Sequence, residues 1–256
     1  MALHVNLSEL AVLFSILLRL SIILFMLPVF STVPVPSAVK VCICVALALM
    51  FMPAVRGTTP PLPLDASRLI PVVMGELFFG AVFALSLVLV FGAFQVAGEL
   101  ISFEMGFGFA QVADPETGAE VPVLGIWCEL TAMMIFLGLN GHHAVLRVFA
   151  ESFKTLPVGT FTIDPALYGR VLSLSASLFV LAIKLAAPVM AVLLLIQLGF
   201  GLMAKFAPQL NVLTTSFPVT IAVGFLFLGL AVLLWGDLAG RFFAETFLHL
   251  GKMISG

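Results

Sequence analysis

The residues able to act as ligands, nucleophiles or proton carriers are few in this chain, and their spacing suits none of those tasks. His142 and His143 are adjacent, and neighbours on a helix point in different directions, which makes them poor joint ligands for one metal. His4 and His249 stand near the two ends. Cys42, Cys44 and Cys128 are too few for a disulfide framework, and the first two share one apolar segment, where a thiol packs as a small soft side chain. No G-x-S-x-G, H-E-x-x-H or Walker A spacing is present to hold a nucleophile, a zinc ion or phosphates. We therefore expect no catalytic residue, no metal, no cofactor and no enzyme activity.

The charges that remain are conspicuous because they interrupt apolar sequence. Lys184 breaks an otherwise uncharged run from Val171 to Ala204. An ammonium there costs about 3 kcal/mol on insertion scales unless it snorkels or pairs. It is either an ion-coupling residue or a lysine that reaches an interface or a partner's acid. Arg19 sits in the middle of another apolar run. Between Arg68 and Arg147 there is no Lys or Arg, yet Glu76, Glu99, Glu104, Asp114, Glu116, Glu120 and Glu129 all fall there. A carboxylate at membrane depth faces protein or a wet cavity, so Glu76, Glu99 and Glu104, like Arg19 and Lys184, are each candidates for an intramembrane charge contact, with no pairing among the five assigned. Glu116 and Glu120 suit a solvated loop.

The elements that hold these residues follow from composition. Of 256 residues, 62% are hydrophobic and 9% charged, against about a quarter charged in a soluble domain. Charge this sparse excludes an ordinary soluble fold and predicts an all-α, polytopic helical membrane protein. Eleven basic against thirteen acidic residues is too even for a phosphate-tracking surface, so nucleic acid is not an expected partner, whereas membrane lipid is. Six segments approach or exceed the roughly 20 residues of one crossing: about Leu10 to Leu27, Val39 to Val55, Leu69 to Gly98, Val123 to Leu146, Val171 to Ala204 and Val212 to Trp235. The first lacks a basic leader and an A-x-A cleavage site, and reads as a retained helix. Pro71 and Pro188 are expected to interrupt the third and fifth segments, and Pro208 with Pro218 to turn the start of the sixth. Connections are short, which predicts a single domain over 1–256. Sorting basic residues by alternate sides puts Arg56, Arg68, Arg147, Lys154, Arg170, Arg241 and Lys252 opposite Lys40 and Lys205, and places both termini in the cytoplasm.

Residues 99–122 form an insert that is neither a spanning helix nor an ordinary hydrophilic loop. Gly106 and Gly108 alternate with Phe107 and Phe109, so the backbone can bend tightly while rings stay free to fill an interior space. Asp114-Pro115 then starts a turn.

Taken in order, Gly98-Glu99-x-Ile101, Met105-Gly106-x2-Phe109-Ala110, Asp114-Pro115, Asn140-Gly141-His142, Phe153-x2-Leu156-Pro157-x-Gly159, Ala187-Pro188, Ala207-Pro208-Gln209-Leu210-Asn211 and Phe217-Pro218-x-Thr220 resemble the FliR family, the R subunit of the flagellar type III export gate. Glu104 departs from it, standing where the family usually has Gln before Met-Gly. The resemblance implies a non-enzymatic subunit with broken helices and helical hairpins, joined to P and Q subunits in a helical pore assembly with the B subunit nearby. Unfolded flagellar export substrates pass through that assembly, in the bacterial inner membrane at the flagellar basal body. It also implies a pore plug on Met105, Gly106, Phe107, Gly108, Phe109, Ala110, Gln111 and Val112, ended by the turn at Asp114 and Pro115. Much of the family's gate stands above the membrane plane, unlike six flat crossings, and the family's architecture is preferred here. Two alternatives remain. One is the T subunit of injectisomes. The other is an ion-coupled secondary transporter in which Lys184, Glu76 and Glu99 bind a coupling ion beside broken helices.

Overall fold

In lipid each backbone N–H and C=O must find its partner within its own segment, so long apolar runs become helices. The computed structural model of the chain describes residues 7–31, 35–56, 66–107, 123–161, 165–207, 209 and 211–255. The helices run α1 (Leu7–Met26), α2 (Pro28–Ser31), α3 (Ser37–Arg56), α4 (Ala66–Glu104), α5 (Val123–Gly138), α6 (Gly141–Thr155), α7 (Pro165–Phe206) and α8 (Val212–Ser255), with no strand among the described residues. Helices α1, α3, α4, α7 and α8 are each long and apolar enough to cross a membrane. The pair α5 and α6, bent by 69° at its break, makes a sixth if it acts as one broken span. The chain is an all-α polytopic membrane protein.

Proline behaves differently from the expectation at three places. Helix α4 continues through Pro71, α7 through Pro188 and α8 through Pro218. Each ring removes one backbone donor, a loss that neighbouring groups can make good in a long apolar helix. Near Pro218 the Thr220 hydroxyl donates to the carbonyls of Ser216 and Phe217, at 3.1 and 3.0 Å. The turn expected ahead of the last helix does occur: α7 stops at Phe206 and α8 starts after Asn211, whose side chain accepts from the Thr214 N–H at 3.5 Å.

The chain forms two compact units interleaved along the sequence. The first takes Met1–Leu89, Asn140–Ser175 and Phe243–Gly256. In it Ile16, Leu20 and Ile23 of α1, with Leu27 just beyond it, are buried at helical spacing, as are Cys44, Ala48 and Val55 of α3, and Phe51 meets Phe149 edge-on at 5.3 Å. The second unit takes Val90–Leu139 and Ala176–Phe242. Its core is written in steps of three and four: Phe94, Ala97, Ile101 and Met105 on α4, Leu124, Cys128, Ala132 and Phe136 on α5, Leu181, Leu185, Val189 and Leu193 on α7, and Leu228, Ala231, Trp235 and Ala239 on α8. Phe91 meets Phe136 and Phe94 meets Trp235, both edge-on, at 5.4 and 5.6 Å.

Gly98 decides how closely α4 and α5 approach. A Cβ at Gly98 would lie 2.6 Å from the Leu124 carbonyl oxygen and 2.8 Å from both the Gly125 Cα and the Cys128 Sγ. Backbone cannot move aside as a side-chain tip can, so only glycine fits this crossing. Gly98→Val is expected to destabilise the protein by about 3 kcal/mol, the upper end for overpacking. Thermal unfolding of the purified protein checks this, and a midpoint equal to that of the wild type would contradict the close crossing.

Candidate functional site

Helix α4 carries the insert's first residues out of the second unit's core and ends in a defined way. Met105 N–H still bonds to the Ile101 carbonyl at 2.9 Å, while Gly106 N–H turns back to the Phe103 carbonyl at 3.0 Å. Gly106 has φ +88°, a left-handed conformation that a side chain disfavours. The helix thus stops inside the insert expected over 99–122, whose residues 99–104 are the last turns of α4 rather than a departure from it.

Helix α8 supplies the seat. Met105 is fully buried, and Gly224 lies directly under it: a Cβ there would sit 2.7 Å from the Met105 Cγ and 2.8 Å from its Sδ. A Cβ at Gly106 would run into the Phe217 ring. The Phe107 ring meets Phe225 edge-on at 6.3 Å. Helix α7 adds a polar tie, in which the Gln197 side-chain amide donates both to the Glu104 carboxylate at 2.9 Å and to the Glu104 carbonyl at 3.1 Å. The root of the insert is therefore held by an apolar seat on α8 and one amide on α7. Gly108, Phe109, Ala110, Gln111, Val112, Asp114 and Pro115 lie outside the described residues.

Gly224→Val is expected to cost about 1–3 kcal/mol, because the added methyls must displace a buried side chain. Met105→Ala in the same chain should return part of that loss. Unfolding midpoints of the two single variants and the double variant check this, and strict additivity would contradict direct contact.

The other expected charge contacts divide. Glu99 is half-buried and accepts from the Gln95 amide at 3.0 Å, one helical turn away. Lys184 is exposed, with its ammonium 5.5 Å from the Phe242 ring centre. Structure does not bring Glu99, Glu104 or Lys184 into an ion pair with one another. The rings of His142 and His143 do meet, at 4.2 Å, contrary to the divergence expected of neighbours. Both are exposed at the start of α6, and among the described residues no three His, Cys, Asp or Glu side chains group as metal ligands.

Arg19 and Glu76, in the first unit, do pair. Both are fully buried, with Arg19 Nε donating to Glu76 Oε2 at 2.5 Å.

Comparison with known proteins covers nearly the whole chain. Residues 10–246 match the family described as bacterial export proteins, family 1. The chain is 30% identical over 228 residues to the flagellar biosynthetic protein FliR of Pectobacterium carotovorum subsp. carotovorum, covering 89% of this chain and 87% of that one. The FliR proteins of Escherichia coli (strain K12) and Bacillus subtilis (strain 168) are 28% and 31% identical, over 93% and 83% of this chain and 91% and 83% of theirs. The chain belongs to the FliR family of bacterial export proteins.

The motifs behind the FliR resemblance acquire physical roles in the structure. Phe153, Leu156, Pro157 and Gly159 all serve the Arg19–Glu76 pair. The guanidinium carbon lies 4.4 Å from the ring centres of both Phe79 and Phe153. Arg19 Nη1 donates to the Ser152 hydroxyl at 3.1 Å, and Nη1 and Nη2 both reach the Leu156 carbonyl at 3.4 Å. Pro157 opens a turn closed by the Thr160 N–H on its carbonyl at 3.1 Å, with Gly159 in the left-handed conformation at φ +83°. That conformation aims the Gly159 N–H at the second Glu76 oxygen, 3.2 Å away. In this FliR-family chain, Met105-Gly106 and Phe217-Pro218-x-Thr220 likewise meet, at the root of the insert. The sequence marks Arg19, Glu76 and Met105, but not Ser152, Gln197 or Phe225. No motif flags those three, and their partners lie 93 or more positions away, except that Ser152 also bonds locally to Phe149.

Proposed function

We propose that this chain is a pore and gate subunit of the flagellar protein export apparatus, whose insert closes the path taken by unfolded flagellar proteins. Family membership over residues 10–246 carries this reading. Two features of the fold support it. The apolar stretches of α4, α7 and α8 have 36, 39 and 38 residues, about 54–58 Å at 1.5 Å per residue, against a hydrocarbon core of about 30 Å. Apolar helices of that length outrun the lipid and call for protein cover, as a subunit standing partly above the membrane would need. The insert's root is also seated on apolar side chains rather than on a charged latch, and an apolar constriction excludes ions without one.

In this reading residues 1–256 act as one export-gate domain with a plug at 99–122. Met105 anchors the plug in its seat on α8, Gly106 to Val112 fill the channel, and Asp114 with Pro115 end the plug. Glu104, through Gln197, fixes the plug's base. P and Q subunits surround the chain, the B subunit lies nearby, and the assembly sits in the inner membrane at the flagellar basal body. The chain turns over no substrate and needs no cofactor. Gly199, Gly201, Gly229 and Gly236 have open space where a Cβ would point, which suits helices approaching from other subunits.

The test is the mass of what is recovered with this chain in mild detergent. A complex containing other small membrane proteins is expected. A stable monomer that moves a small solute by itself would overturn the export reading in favour of a transporter.

A further inference from the structure

Lys184 takes no part in the root of the insert or in the Arg19–Glu76 cluster. It is exposed on α7 among exposed Phe179, Val180, Ile183 and Ala187, and no carboxylate among the described residues pairs with it. Its ammonium lies 5.5 Å from the centre of the Phe242 ring. Along the helix, Arg170 is 14 residues away and Lys205 is 21, about 21 and 32 Å. A four-carbon stem cannot bring the ammonium to either polar end.

Two placements of the bilayer are open to a stretch of 39 apolar residues, and both leave this face in need of protein. If lipid surrounds Lys184, an unpaired ammonium costs about 2.5–3.5 kcal/mol. If lipid covers the other part of α7, Phe179, 61% exposed, and Ile183, 59% exposed, would form an apolar patch in water. Protein cover without a counter-charge would then bury a lone cation, which is costlier still. Pro188 weakens the helix's own claim on an acceptor at the same place, because it has no N–H to give the carbonyl of Lys184, four residues earlier. The face thus offers an ammonium and a backbone acceptor inside an apolar surround.

We propose that the Lys184 face of α7 is the docking surface for an apolar helix of another subunit that presents an Asp or Glu carboxylate to this ammonium. The proposal rests on the export-gate reading and names a contact which that reading does not require. The charge sets the register of the two helices, since sliding the partner by one turn would bury both charges unpaired.

The experiment uses the intact complex with a photoreactive amino acid in place of Ile183. Crosslinks are expected on one partner peptide with an Asp or Glu within a turn of the attachment point. Lys184→Arg should keep the complex, Lys184→Asp should lower its recovery at least about tenfold, and replacing the mapped acid by Lys should restore the Lys184→Asp variant. Crosslinks to lipid, to a second copy of this chain or to a segment without an acid, with the complex intact, would overturn the docking proposal and leave the export reading standing. Recovery of the unsubstituted chain without partners would remove both.

Discussion

Arg19→Ala is expected to lower the stability of the folded chain by about 3–5 kcal/mol, the usual cost of removing one partner from a buried ion pair. The reason lies in what stays behind. Glu76 would keep only the Gly159 N–H on one oxygen while fully buried, and the Ser152 hydroxyl and Leu156 carbonyl would lose their donor. Two aromatic rings would also lose the cation they flank. Glu76→Ala should cost a similar amount by stranding the guanidinium. The double replacement Arg19→Met with Glu76→Leu should cost less than either single change, because an apolar pair leaves no buried charge. Unfolding midpoints in one detergent provide the comparison. A single Arg19→Ala variant as stable as the wild type would mean that α1, α4 and α6 are not held together at this point.

That cluster also shows how far the sequence could be read. Helices were legible because apolar runs and sparse charge leave few alternatives in lipid, and the turn before Val212 fell where turn residues stand. The fourth segment, expected as one run from Val123 to Leu146, is instead broken at Asn140, whose φ of 56° is left-handed and ends the first helix. Pro71, Pro188 and Pro218 misled because a proline's local cost is outweighed when the helix on both sides is strongly favoured by its surroundings. Arg19 and Glu76 were marked as misplaced charges, but their union was not legible, since 57 positions separate them and each has several opposite charges in the chain. The same holds for the plug's base. Gly106 and Phe107 stand out by their alternation and Met105 by the family resemblance, whereas Gly224 looks like any glycine of an apolar helix until Met105 is found against it. Long-range pairing inside a uniformly apolar sequence leaves no periodic mark.

Removing the plug is expected to have the largest functional effect. Deleting Gly106 to Gln111 removes Phe107, which packs on Phe225, together with the Gly106 turn fitted against Phe217. It leaves Met105 in place above Gly224 and Gln197 on Glu104, so the helices and the partner surfaces should persist. A buried phenylalanine ring is worth about 1.5–3 kcal/mol, and each 1.4 kcal/mol or so taken from a permeation barrier is about tenfold in rate. Phe109→Ala should raise leakage more weakly, because neighbouring side chains refill part of the space. The measurement that bears most directly on closure by this insert is passive ion conductance of the purified complex in planar bilayers, with its subunit content checked beside it. The deletion should raise conductance about tenfold or more while every partner stays bound. Unchanged conductance in an intact complex would contradict it.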